Sequence, residues 1–185
     1  MSREVFEKAV KLNAEHDDCL TFGGGEPTLH PDFWDFMATA LASSTDMPPY
    51  IVTNGKITKT ALALAKLAKS GAIGAALSQD EWHDSIDPEV IQAFNRPLHS
   101  YGRYGDDAND CREIRNVSGG ITNQGRAKRN GIGDLDHCVC DCIVVEPDGR
   151  LWECGCRKVS FGTVFAPAIP DLYWEDHSKC SRKAT

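Results

Sequence analysis

The chain has 185 residues, of which 41% are hydrophobic and 25% are charged, and its formal net charge is −7. This composition is typical of a globular protein, and the length suits one domain with a core and a small addition. The negative charge argues against non-specific binding to nucleic acid or anionic membranes. No apolar run reaches the roughly 18 residues that a membrane span needs, and residues 1–10 lack a signal-peptide core. A cytoplasmic protein without membrane contact is therefore expected.

Strand and helix patterns alternate over the first half of the chain. Helical patterns begin at residues 3, 31, 57 and 87, and short apolar strands precede the last three. Short connections between strands and helices are typical of parallel βα units. The predicted fold class is therefore α/β, a partial βα barrel or an open parallel sheet, followed by a small Cys-rich β-hairpin metal module. Ligands of such sheets bind at the carboxyl ends of the strands.

Three segments are predicted along the chain. Residues 1–96 form the βα core, and residues 97–135 form an irregular connector rich in Gly, Asn and Asp, with one strand near "REIRNVS". Residues 136–185 form the Cys-rich module, in which "CIVVE" and "RLWEC" are strands joined by a Pro-Asp-Gly turn.

Three glycines, a glutamate and a proline directly follow the first predicted strand. Consecutive glycines cost backbone entropy, which a fold accepts where main chain must approach another group closely. The segment matches neither Gly-x-x-x-x-Gly-Lys nor Gly-x-Gly-x-x-Gly, so it is not a phosphate loop of those types. Glu26 would place a carboxylate at the rim, which favours a cationic group such as an amine. A tight turn with an exposed Glu26 is the alternative interpretation.

The segment "FGGGEPTLHPDF" resembles the GGEP motif of radical S-adenosylmethionine (SAM) enzymes. "IVTNGK" and "AALSQDEWHD" are similar to the third and fourth strands of that family, and "GRAKR" resembles a Gly-Arg-Ala segment in several members. The resemblance implies that the main chain of the motif contacts the amino group of the SAM methionine moiety. The cofactor-binding residues that it implies are Gly23, Gly24, Gly25, Glu26, Pro27, Thr53, Asn54, Ser78 and Asp80.

The cluster loop Cys-x3-Cys-x2-Cys of that family has no counterpart here, because only Cys19 precedes the glycines. The chain as written is expected to bind SAM weakly or not at all and to form no 5′-deoxyadenosyl radical. The resemblance is closest to small stand-alone radical SAM proteins of the kind found in phage genomes. An upstream cluster loop would imply radical chemistry on a peptide or small molecule, and its absence would imply a pseudoenzyme.

Five cysteines lie within residues 138–156. In a reducing cytosol, such clustering favours metal or redox chemistry over disulfides. Counting back from the hairpin turn sets Cys142 opposite Gly155, within one residue. Zinc sites usually contain Cys-x2-Cys knuckles, whereas iron–sulfur clusters accept more varied spacing. The pattern of residues leaves three interpretations open: a zinc site, an iron–sulfur cluster and thiols without metal. The spacing resembles SPASM or twitch domains, which implies an auxiliary [4Fe–4S] cluster. The candidate ligands are Cys138, Cys140, Cys142, Cys154, Cys156 and Cys180.

A basic segment spans residues 112–129, and it is expected to be a solvated loop or hairpin, with a phosphate or nucleic-acid contact as the alternative. Its cations are Arg112, Arg115, Arg126, Lys128 and Arg129. The rival function is a non-catalytic binding protein, stabilised by zinc or an iron–sulfur cluster. Such a protein would engage a protein partner through this segment and an unpaired strand edge.

Overall fold

The structure, a computed structural model, describes residues 1–16, 19–43, 47–79, 84–96, 109–116, 129–131, 142–155 and 157–170. The chain divides into two compact units. The parallel unit comprises Asp17–Ser118, and the antiparallel unit combines Met1–His16 with Gly119–Thr185. A sheet of four parallel strands in the first of these confirms the predicted α/β fold class.

Helices and strands within the described residues are α1 (Arg3–His16), β1 (Thr21–Phe22), α2 (Phe33–Ala42), β2 (Tyr50–Thr53), α3 (Thr58–Lys69), β3 (Gly74–Gln79), α4 (Pro88–Phe94), β4 (Arg112–Asn116), β5 (Val144–Val145), β6 (Arg150–Trp152), β7 (Ser160–Thr163) and β8 (Ala166–Pro167). A 3-10 turn at Pro27–Leu29 lies between β1 and α2. The predicted start of α4 is confirmed, because the Asp87 carboxylate accepts a hydrogen bond from the N–H of Glu89. None of the described helices combines the length and apolar character that crossing a bilayer requires.

The strands of the parallel unit follow the order β1-β2-β3-β4, and every neighbouring pair is parallel. Phe22 pairs with Ile51, and Thr53 pairs with Leu77. Because parallel strands run the same way, their carboxyl ends meet at one edge of the sheet. The segments that follow β1, β2 and β3 therefore start from a common edge.

Helices α2, α3 and α4 cover one face of this sheet. Ile51, Ala75 and Leu77 are fully buried between the strands and these helices. Their helical neighbours in the same apolar cluster are Phe33, Met37, Leu64, Ala65, Ala68, Val90 and Phe94. Burial of apolar surface contributes about 25 cal/mol per Å², so this core fixes the strand ends relative to one another.

A buried ion pair anchors β4 at the edge of the sheet. Nε and Nη2 of Arg112 donate hydrogen bonds to the two carboxylate oxygens of Asp110 at 2.8 and 2.6 Å. Nη1 of Arg112 donates to the carbonyl oxygen of Ala93 at 2.6 Å, in the last turn of α4. Arg96 donates to the carbonyl oxygen of Arg112 at 2.9 Å. The pair therefore ties the start of β4 to the end of α4.

The prediction of a solvated basic segment is wrong for Arg112, because that side chain is buried in the ion pair. Arg115 and Arg129 are exposed. Arg126 and Lys128 lie outside the described residues. A charge pattern cannot distinguish a buried arginine from an exposed one when its carboxylate partner lies two residues away.

The antiparallel unit contains a sheet with strand order β5-β6-β7-β8. β5 and β6 form the predicted antiparallel pair, in which Val144 is opposite Trp152. Gly149 in their turn has φ +88°, a left-handed conformation that glycine adopts without strain. The sequence pattern does not predict β7 and β8, which are short and contain a glycine and a proline.

Helix α1 packs in the antiparallel unit. Val5 and Ala9 share an apolar cluster with Leu151, Phe161 and Val164. The pattern predicts this helix correctly but places it in a βα core, whereas the structure groups it with the C-terminal sheet. An amphipathic stripe shows that one face is buried without showing which sheet covers it. The boundaries of the predicted 97–135 and 136–185 segments stay predictions.

Candidate functional site

The three glycines after β1 lie at the carboxyl edge of the parallel sheet, and all three are exposed. Gly24 has φ +95°, which favours glycine, whereas Gly23 and Gly25 lie outside the left-handed region. A Cβ atom added at Gly23 or Gly25 would meet no heavy atom of the described residues within 4 Å. The conformation of the loop therefore requires only the central glycine, and the outer two leave main-chain groups accessible to a ligand.

Glu26 holds this loop against the end of β2. Its Oε1 accepts hydrogen bonds from the hydroxyls of Thr53 at 2.8 Å and Thr28 at 2.6 Å, and from the N–H of Thr28 at 3.2 Å. Its Oε2 accepts from the N–H of Asn54 at 2.6 Å. Hydrogen bonds to a carboxylate are roughly twice as strong as neutral ones. The sequence predicts a rim carboxylate directed at a cationic ligand; here the carboxylate positions the loop itself, and Pro27 starts the 3-10 turn.

A second tight turn follows β2 at the same edge. Thr53 is 2% exposed, and its Oγ1 accepts a hydrogen bond from the N–H of Gly55 at 3.1 Å. Oδ1 of Asn54 accepts from the N–H of Lys56 at 3.0 Å, as in an Asx turn. Gly55 has φ +72°, and a Cβ atom there would lie 2.7 Å from Cδ1 of Leu77. This glycine serves the fold, in contrast to the two outer glycines of the loop.

The face of the parallel sheet opposite its helices presents a row of polar side chains near this edge. Ser78 pairs with Arg115, and paired residues of neighbouring strands project to the same face. Arg115 is exposed, and the described residues show no ion pair for it. We call this the second face; its described residues are Thr21, Tyr50, Val52, Gly74, Ala76, Ser78, Glu113 and Arg115.

The sequence pattern does not assign Arg115 to the site. In the sequence, Arg115 is only one cation of the basic segment, because no motif within a few residues links it to Ser78. The pairing of β3 with β4 is the signal that brings the two together. Asp80, the other residue predicted at the end of β3, lies outside the described residues.

Two of the predicted metal ligands lie within the described part of the chain. The register that pairs Val144 with Trp152, continued by two residues, sets Cys142 opposite Cys154 at the open end of the hairpin. This is one residue from the predicted partner, Gly155. Cys142 is exposed and Cys154 is buried. The other predicted ligands lie outside the described residues: Cys138, Cys140, Cys156 and Cys180.

Trp152 lies two residues before the buried Cys154. Its indole N–H is buried and has no hydrogen-bond partner among the described residues. Buried donors nearly always have an acceptor, and leaving one unsatisfied costs about 1–3 kcal/mol. The N–H of Arg157 donates to the carbonyl oxygen of Cys154 at 3.0 Å and closes a tight turn there. Trp152 is therefore a buried donor without an acceptor among the described residues, two positions before Cys154 in the sequence.

Across the described ranges, no group of three or more His, Cys, Asp or Glu side chains has an arrangement that could hold a metal ion. The remaining described cysteines lie in the parallel unit. The Sγ of Cys19 contacts the carbonyl oxygen of Pro48 at 3.9 Å. Burial raises the pKa of the Cys111 thiol, with the Arg96 guanidinium opposing that shift. A thiol with a raised pKa is a poor metal ligand at neutral pH.

Comparisons with known proteins give information on the fold of the chain. No protein-family model matches the chain, and no curated protein matches it significantly. Among solved structures, the chain is similar to the crystal structure of BtrN in complex with AdoMet and 2-DOIA, with 19% identity and a TM-score of 0.59. The similarity covers 95% of this chain and 70% of the BtrN chain. At this identity the likeness shows the fold alone.

Proposed function

We propose that the chain is a radical-SAM-like protein that binds SAM at Gly23–Pro27 and holds an iron–sulfur cluster through its C-terminal cysteines. The observation that carries the proposal is the accessible main chain of the outer glycines at the carboxyl edge of a parallel sheet. BtrN, which shares this fold, was crystallised in complex with AdoMet, which supports the choice of ligand.

The charges at this edge fit the aminoacyl end of SAM, which carries one ammonium and one carboxylate group. Carbonyl oxygens of the exposed glycines would accept hydrogen bonds from the ammonium. The guanidinium of Arg115 presents the planar donor pair that suits a carboxylate. Ser78, its partner on β3, would add a hydroxyl beside it. Glu26 would act indirectly, because its hydrogen bonds to Thr28, Thr53 and Asn54 hold the glycines in place.

Titration calorimetry with SAM tests this part of the proposal. The wild-type chain is expected to show one saturable site of weak affinity. Arg115→Gln is expected to weaken binding about tenfold, because a hydrogen bond to a charged group is worth about 1.5–3 kcal/mol. Arg129→Gln, which removes an exposed arginine of the antiparallel unit, is the matched control and should bind like the wild type. Absence of saturable binding by the wild type would contradict the proposal.

The chemistry at the hairpin end fits an iron–sulfur cluster. Thiolates are the usual ligands of such clusters, and Cys142 and Cys154 lie two residues beyond the paired ends of β5 and β6, at the open end of the hairpin. The buried N–H of Trp152 is a donor that a cluster sulfide would satisfy, and hydrogen bonds to the sulfurs tune cluster potentials. Candidate ligands outside the described residues, Cys138, Cys140, Cys156 and Cys180, would complete the set. A cluster held there would supply one-electron chemistry.

Anaerobic reconstitution with iron and sulfide tests this second part. The wild-type chain is expected to bind about four irons with matching acid-labile sulfide, as one [4Fe–4S] cluster requires. Cys142→Ser and Cys154→Ser should each lose most of that iron, whereas the control Cys111→Ser should retain it. One zinc and no iron per chain would overturn the cluster and support the zinc alternative.

A further inference from the structure

Tyr50 crosses the second face of the parallel sheet from β2 to β4. Its ring lies over Gly74 of β3, where an added Cβ atom would be 2.6 Å from Cδ2 of the ring. The phenolic hydroxyl donates a hydrogen bond to Oε2 of Glu113 at 2.8 Å. Gly74 is outside the left-handed region, so the space that the ring occupies accounts for the glycine. Tyr50 therefore closes this face near the amino-terminal ends of the strands.

The carboxylate of Glu113 carries a charge that no described side chain neutralises. Glu113 is exposed, and the described residues show no ion pair for it. Arg115 lies on the same face two residues later, about 7 Å further along the strand at 3.2–3.4 Å per residue. The two opposite charges remain unpaired with each other. The Tyr50 hydroxyl fixes one carboxylate oxygen of Glu113 and thereby orients the group.

Small side chains on β3 lie beside these two charges. Ala76 is fully buried beside Glu113, its register partner, and Ser78 stands beside Arg115. Along β4, the second face therefore presents an exposed carboxylate towards the amino-terminal end and an exposed guanidinium towards the carboxyl edge of the sheet. Charge complementarity assigns a cation to Glu113 and an anion to Arg115.

We infer that the Tyr50–Glu113 pair is a substrate subsite that binds a primary ammonium group. An ammonium has three donors and no acceptor, which suits an oriented carboxylate. The assignment of this subsite to a substrate rests on the proposed function, in which SAM occupies the adjacent edge and its carboxylate neutralises Arg115. Glu113 would contact the ammonium, and Tyr50 is a positioning residue that acts through Glu113.

Fluorine NMR of protein labelled with 3-fluorotyrosine tests the inference without SAM. The chain has four tyrosines, and Tyr50→Phe identifies the signal of Tyr50. Benzylamine is the probe, and benzyl alcohol is its neutral control of similar shape. Benzylamine is expected to shift the Tyr50 signal saturably, with an apparent Kd about tenfold lower than that of benzyl alcohol, since a charge-assisted hydrogen bond is worth at least about 1.4 kcal/mol.

Two variants separate binding from a purely structural role. Glu113→Gln should abolish the preference for benzylamine over benzyl alcohol while the other tyrosine signals stay in place. Glu89→Gln, which neutralises an exposed carboxylate of α4, is the matched control and should retain the preference. For Tyr50→Phe, intrinsic fluorescence replaces the lost signal, and the preference should fall by about threefold with the loss of one hydrogen bond.

Equal affinity for the two probes, or an unchanged preference in Glu113→Gln, would overturn the inference. A separate SAM titration of the same samples distinguishes its failure from that of the proposed function. Loss of amine selectivity with intact SAM binding overturns the subsite alone. Amine selectivity without SAM binding supports an ammonium site at Glu113 and contradicts the proposed cofactor.

Discussion

A single side chain, Glu26, determines the local geometry of the glycine loop. Its four hydrogen bonds join the loop after β1 to the 3-10 turn and to the end of β2. The sequence motif identifies this residue, but not its partners, because Thr53 and Asn54 are brought to it by the pairing of β1 with β2. Arg115 shows the same limit, since only strand register places it beside Ser78.

Glu26→Gln is expected to lower the free energy of unfolding by about 1–2 kcal/mol, because the amide keeps the shape but loses charge-assisted hydrogen bonds. Urea unfolding monitored by circular dichroism measures the change. Glu7→Gln, at an exposed position of α1, is the control and should stay within about 0.5 kcal/mol of the wild type. A wild-type midpoint for Glu26→Gln would show that these hydrogen bonds do not stabilise the loop.

At the scale of elements, the ion pair of Asp110 with Arg112 joins β4 to α4. Hydrogen bonds from Arg112 hold the pKa of the Asp110 carboxyl below its usual range, against the opposing effect of burial. The folded-state pKa therefore lies below the unfolded-state value of about 3.9. The stabilisation from this pair is fully present above that value and is lost as pH falls through the lower folded-state pKa.

Asp110→Asn is expected to lower the free energy of unfolding at pH 7 by about 3 kcal/mol, because it leaves the buried Arg112 charge uncompensated. It should also flatten the dependence of stability on pH between about 5 and 2. Thermal unfolding at pH 7 tests the first effect, and thermal unfolding across the acid range tests the second. Asp148→Asn is the control: the Asp148 pKa is also lowered, chiefly by the N–H of Arg150, but the side chain is exposed and screened. A variant as acid-sensitive as the wild type would exclude Asp110 as the source.

Local sequence patterns are sufficient to predict most elements of the parallel unit. Periodic apolar residues, the Asp87 cap and the glycine that follows α3 mark its helices and strands. Patterns do not predict β7 and β8, because two to four residues carry little periodicity. They also do not predict the sheet on which α1 packs, since that choice depends on contacts between residues far apart in the chain.

For the whole molecule, cysteine reactivity reports on the proposed cluster. In metal-free protein, iodoacetamide is expected to modify the exposed Cys142 at least about tenfold faster than the buried Cys154. The reagent reacts with the thiolate, and burial both blocks its access and disfavours the thiolate. Cys111 should also react slowly, since burial raises its pKa. Reconstitution with iron and sulfide should then protect Cys142, as peptide mass spectrometry would show. Cys142 that stays reactive in iron-loaded protein would exclude it as a ligand.

The central claim is that the outer glycines after β1 serve a ligand and not the conformation of the chain. The decisive measurement is SAM affinity and unfolding free energy for Gly25→Ala, compared with Gly55→Ala. We predict that Gly25→Ala keeps wild-type stability and loses SAM affinity about tenfold or more, because its methyl group meets no described neighbour and blocks only the ligand. Gly55→Ala should lose stability by about 1–3 kcal/mol through its clash with Leu77. Wild-type SAM affinity in a stable Gly25→Ala variant would contradict the claim.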